Sequence, residues 1–79
     1  MNPILTGNRE EYIYLIKRLK IPKTVADRMY PYVFKPDNLF GLERHSTIFT
    51  YGSWQFRVDM EEITYLANYR QFNIINLGN

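Results

Sequence analysis

His45, the only histidine, stands beside Ser46 in the run Glu43-Arg44-His45-Ser46. A histidine next to a hydroxyl offers a general base and a nucleophile, a chemistry that needs the two side chains within hydrogen-bond reach. Adjacent residues of a strand point to opposite faces, so this pair reads as a strand entry and not as a dyad. Carboxylates cluster at Glu10-Glu11 and at Asp59, Glu61 and Glu62. Both clusters fall in what reads as the first turn of a helix, where the dipole favours negative charge whatever the function. Pro36-Asp37 opens a nuclease-like pattern, but no acidic residue downstream is followed two positions later by lysine. The glycines stand apart at positions 7, 41, 52 and 78, so no phosphate-binding loop is expected. Without cysteine, and with one histidine, the chain has no zinc-ligand set. The expectation is a protein that is not an enzyme, with no catalytic residue, no cofactor and no metal.

Two other groups have residue types suited to binding. Lys17, Arg18, Lys20 and Lys23 lie close together, with Arg28 beyond them. Tyr14 and Arg18 are four apart, so on a helix a ring stands beside a guanidinium and can meet a base or a phosphate. The same cations also complement the C-terminal dipole of a helix. The second group is the tyrosines, seven of them among 79 residues that also include five Phe and one Trp. A core this small cannot enclose every ring, and tyrosine is enriched at protein interfaces. Wheel positions put Tyr14 outside the apolar arc of the first helix, and Tyr65 and Tyr69 opposite the inner stripe of the third. Tyr30 and Tyr32 flank Pro31. Tyr14, Tyr30, Tyr32, Tyr65 and Tyr69 are thus the expected partner-binding residues. Lys17, Arg18, Lys20, Lys23 and Arg28 are the nucleic-acid-binding set of the alternative.

Elements must position these side chains, and several are signalled locally. Asn8 with Glu11 makes a capping box for a helix over 9–20, with Tyr12, Ile13, Leu15, Ile16 and Leu19 on one side and Pro22 ending it. A second helix is expected from Thr24, with Asp27 at the capping position, Val25 and Met29 inward, and Pro31 stopping it near Tyr30. Lys35-Pro36-Asp37-Asn38 suits a type I turn, and Leu39 to Leu42 one further turn. Tyr51-Gly52-Ser53-Trp54 places glycine first in a two-residue loop, as a type II′ hairpin turn requires. That register pairs Tyr51 with Trp54, Phe49 with Phe56 and Thr47 with Val58 on one apolar face, leaving Arg57 on the other. Asp59, with Glu62, caps a third helix whose inner stripe is Met60, Ile63, Leu66 and Ala67. Gln71 to Leu77 reads as a third strand.

The fold expected from these signals is a single compact α+β domain over residues 1–79, of order α-α-β-β-α-β. It has an antiparallel hairpin sheet with helices packed on one face.

Composition bounds the rest. Hydrophobic residues make up 46% and charged ones 23%, an ordinary globular balance that argues against disorder. A net charge of +2 does not favour nucleic acid, since dedicated binders are often far more basic. No run is apolar enough to cross a membrane, no signal peptide is evident, and the absence of cysteine suits a reducing compartment. The expected location is cytoplasmic, in a host cytoplasm if the frequent Ile, Asn, Tyr and Lys reflect an AT-rich phage genome. Residues 21–29, Ile-Pro-Lys-Thr-Val-Ala-Asp-Arg-Met, resemble the recognition helix of a winged helix-turn-helix, with the 46–58 hairpin as its wing. That resemblance implies DNA or RNA binding through the basic 17–28 segment and is the alternative reading. The leading one is a small intracellular protein that docks on another protein, as regulator or inhibitor of a larger machine, with a machine that handles nucleic acid as one option. Self-association into a homodimer is a further option, and no membrane partner is expected.

Overall fold

Pro3-Ile4-Leu5-Thr6 is too short an apolar run to announce a strand, yet Ile4–Thr6 forms β1, with all three residues buried. The computed structural model describes residues 2–33 and 35–78. Helix α1 spans Arg9–Arg18, capped by the Asn8 side chain, which accepts from the Glu11 amide. Helix α2 spans Lys23–Met29 and begins straight after Pro22. Asp27 caps nothing here, because its carboxylate pairs with Lys23 one turn back, at 2.7 Å. A 3-10 helix over Pro36–Gly41 occupies the segment expected to turn. Strand β2 runs over Thr47–Tyr51, a second 3-10 helix over Trp54–Phe56, helix α3 over Met60–Arg70, and strand β3 over Asn73–Asn76. Asp59 caps α3 as expected, by accepting from the amides of Glu61 and Glu62.

The antiparallel hairpin does not form. All three strands are parallel, in the order β1-β2-β3, with Ile4 opposite Phe49 and Ile48 opposite Ile74. Both edges of β2 are therefore taken by distant segments, and nothing is left for residues 54–58 to pair with. Gly52 does adopt a positive φ of 67°, as its place in a turn suggested. The turn leads into the short 3-10 helix and not back along β2. Phe56, placed in the core by the hairpin register, is 92% exposed. Parallel pairing instead requires long crossovers, which α1 with α2 and then α3 supply.

Nor do the helices share one face. Side chains alternate along β1 and β2, so Ile4, Phe49 and Tyr51 point to one side while Leu5, Ile48 and Thr50 point to the other. On the first side Tyr12, Leu15, Ile16 and Ala26 from α1 and α2 join Ile4 and Tyr51 in one core. On the second, Ile63 and Leu66 from α3 join Leu5, Ile48, Trp54, Val33, Leu39 and Phe72 in another. The result is three thin layers, helix on sheet on helix. Strands covered on both faces explain why β1 and β2 bury even Thr6 and Thr50 completely. The expected inner residues Met29 and Met60 lie instead at the rim, both exposed.

The free side of β1 is closed by residues 31–33. Ile4 bridges Tyr32, its amide donates to the Pro31 carbonyl at 3.0 Å, and the Val33 amide returns to the Ile4 carbonyl at 2.9 Å.

Candidate functional site

Met60–Arg70 is helical with Ile63 and Leu66 turned inward, so Tyr65 and Tyr69, four residues apart, fall on its outer side. Their rings stack at a centroid distance of 5.8 Å and an interplanar angle of 7°, and they are 64% and 63% exposed. Met60, Glu61, Thr64, Tyr65 and Asn68 line a shallow depression along the same helix. The Thr64 hydroxyl is turned back onto the Met60 carbonyl at 2.7 Å, leaving the rings and the thioether as the main apolar features. The charges nearest the start of this face are acidic, Glu61 and Glu62.

The other three tyrosines of the expected set do not join this pair. Tyr14 is 59% exposed but belongs to α1, on the opposite side of the sheet, where it stacks on Tyr51 at 6.5 Å. Tyr30 and Tyr32 are half-buried and pack on the α1–α2 core. Tyr30 tilts against Phe49, and Tyr32 against Tyr12. Tyr32 also accepts a hydrogen bond from Arg57 Nη1 at 2.8 Å, with the guanidinium 5.4 Å from its ring centre. Both rings are thus engaged within the fold while staying partly exposed.

Lys17, Arg18, Lys20, Lys23 and Arg28 are all exposed. Lys17 and Lys23, with Arg9, rim a groove of about 380 Å³ between α1 and α2, with Tyr12, Ile16 and Ala26 among its lining residues. Arg9 was not in the expected set, because one full helix separates it from Lys23 in sequence. The winged-helix comparison loses its wing, since residues 46–58 form no hairpin. His45 has a positive φ of 66°, and the Ser46 hydroxyl is spent on the Glu43 carbonyl.

No protein-family model, curated protein or solved structure matches the chain.

Three of the scattered glycines meet in space. Gly7 follows β1, Gly52 follows β2, and Gly78 follows β3, with the Gly52 amide donating to the Gly78 carbonyl at 2.9 Å. The carboxyl ends of parallel strands, beside a helix N-terminus, are where open α/β sheets bind ligands and where anions are favoured. Here the chain's own Glu11 occupies that position. Its carboxylate accepts from the Gly7 amide at 2.7 Å, the Ser53 amide at 3.0 Å and the Ser53 hydroxyl at 2.9 Å. A Cβ on Gly7 would come within 2.6 Å of Glu11 Oε1, and one on Gly52 within 2.5 Å of Glu11 Cδ. Burial raises the Glu11 pKa, but the hydrogen bonds from Ser53, Gly7 and Asn8 outweigh it, so the carboxyl is held below its ordinary value. Among the described residues no group of three or more His, Cys, Asp or Glu side chains is arranged to hold a metal ion. No helix of the described residues is long and apolar enough to cross a membrane.

Proposed function

We propose that the chain is a small non-enzymatic binding protein that docks on another protein through the outer face of α3. The observation that carries this reading is the stacked and largely exposed pair Tyr65–Tyr69. Two parallel rings already fixed against each other lose little freedom on binding, and they present a broad amphipathic area without cations. Within this proposal the role is that of a regulator or inhibitor of a larger machine, a nucleic-acid-handling one being one option. Cytoplasmic action, in a host cell if the chain is phage-encoded, is part of the same proposal.

Replacing Tyr65 and Tyr69 together by Ala is expected to leave the urea midpoint nearly unchanged, because neither ring is buried. The same double variant should weaken association with the docking partner by at least about 2 kcal/mol. A loss of several kcal/mol in stability would instead assign both rings to the fold and remove this surface.

A second reading rests on Arg9, Lys17 and Lys23 gathering around the α1–α2 groove. If these cations meet phosphates, replacing Lys17, Arg18 and Lys23 by Ala flattens the dependence of log K on log salt by up to about 3 units. Absence of measurable affinity for random single- or double-stranded nucleic acid near 0.1 M salt would end that reading.

A further inference from the structure

Strand β3 is an open edge of a particular kind. The Asn73 amide donates to the Ser46 carbonyl at 2.9 Å and the Leu77 amide to the Thr50 carbonyl at 2.7 Å. Backbone groups alternate in direction along a strand, so Asn73, Ile75 and Leu77 address β2 while Ile74 and Asn76 turn their N–H and C=O groups outward. No strand pairs with β3 on that outer side among the described residues. Native edges are commonly blunted by a charge, a proline or a bulge. Asn73-Ile74-Ile75-Asn76-Leu77 contains neither charge nor proline. Ile75 and Leu77 are 38% and 39% exposed on it.

We propose that β3 pairs with β3 of a second copy of this chain, antiparallel about a twofold axis through Ile75, to make one continuous sheet. This register is self-complementary. Ile74 of one copy faces Asn76 of the other, and these outward residues exchange N–H···O bonds in both directions. Ile75 then faces its own equivalent in the closer, non-hydrogen-bonded position, making an apolar pair on the α1 side of the sheet. A twofold normal to the sheet keeps each face continuous, so Ile74 stays on the α3 side, where it packs against that core. Leu77 brings with it a shallow apolar groove shared with Leu19, Ile21, Tyr30 and Phe49, which extends the contact beyond the strands. The opposite edge, β1, is already covered by residues 31–33. Pairing through β3 therefore consumes the sheet's free edge, and assembly closes at a dimer.

Sedimentation equilibrium of the whole chain across a wide concentration range tests this. The parent is expected to dimerise reversibly, and hydrogen exchange at the Ile74 and Asn76 amides should slow as concentration rises. Ile75→Lys sets like charges opposite each other across the axis and should abolish the dimer. Beside Asn76→Ala, which already removes the side-chain oxygen that accepts from the Thr50 hydroxyl and the Gly78 amide, Asn76→Pro deletes one outward backbone donor per copy without touching an amide that faces β2. It should raise the dissociation constant roughly ten- to a hundredfold. Unchanged circular dichroism of Asn76→Pro keeps the test valid if Ile75→Lys fails to fold. A parent that stays monomeric at millimolar concentration overturns the proposal. So does a dimer that survives both Ile75→Lys and Asn76→Pro, or one that is lost only in the Tyr65→Ala, Tyr69→Ala variant.

Discussion

Arg57→Ala is expected to destabilise the fold by about 2–4 kcal/mol, whereas Phe56→Ala should stay within about 0.5 kcal/mol. Arg57 Nη1 lies among three acceptors, the Thr6 carbonyl at 2.8 Å, the Tyr32 hydroxyl at 2.8 Å and the Val33 carbonyl at 3.0 Å. One guanidinium thus ties the end of β1 to the 31–33 segment that covers it, from the loop that leads into α3. Hydrogen bonds from a charged donor are worth more than neutral ones, and Thr6 is fully buried, so its carbonyl would lose a partner where water cannot replace it. Arg57→Lys should recover only part of the loss, because an ammonium lacks the planar fork and the flat face that lies over Tyr32. Phe56, one residue earlier, stands 92% exposed and gives up little on truncation. Urea titrations of the three variants check this. A Phe56→Ala cost above that of Arg57→Ala would restore the buried hairpin face.

That inversion marks where the sequence is legible and where it is not. The caps at Asn8 and Asp59, the stop before Pro31 and the extended pattern after Gln71 depend on neighbours a few residues away, and each is found. Parallel pairing depends on contacts between residues more than twenty apart, such as Phe49 with Ile75 or Ile4 with Phe49, and leaves no local mark. Tyr51-Gly52-Ser53-Trp54 satisfies the local rules for a hairpin, but the turn is set by Glu11, 42 residues away from Ser53. The outward placement of Tyr65 and Tyr69 follows from helical spacing once α3 is capped, and is found. Tyr30 and Tyr32 lie outside any helix stripe, so nothing local could show that one packs on Phe49 and the other under Arg57. A missed signal was the lack of charge in residues 3–6, a short run of the kind that a doubly covered strand leaves.

Glu11→Ala should cost about 2–4 kcal/mol, through the loss of one carboxylate that serves two turns at once. In sequence, Glu11 is a routine capping-box residue whose expected partner is the N-cap backbone. In the fold its oxygens reach the amide of Gly7 and both the amide and hydroxyl of Ser53, so the ends of β1 and β2 are held together at the start of α1. Gly52→Ala would meet the same carboxylate and would also have to hold a φ of 67° that side chains rarely adopt. These bonds are stronger to the ionised form and outweigh the effect of burial, which is why the folded pKa lies below the ordinary 4.5. A depressed carboxyl pKa contributes stability that is present above the unfolded value and disappears as pH falls through the folded one. The parent should therefore lose stability as the pH drops below about 4.5 by more than its other, better exposed acids explain. Glu11→Gln retains an oxygen acceptor but no titration, so the stability difference between parent and Glu11→Gln should be largest near neutrality and shrink toward pH 3. Thermal melts of both proteins across that range measure it. A difference that does not change between pH 7 and pH 3 would mean that the carboxylate's charge plays no part in holding the two strand ends.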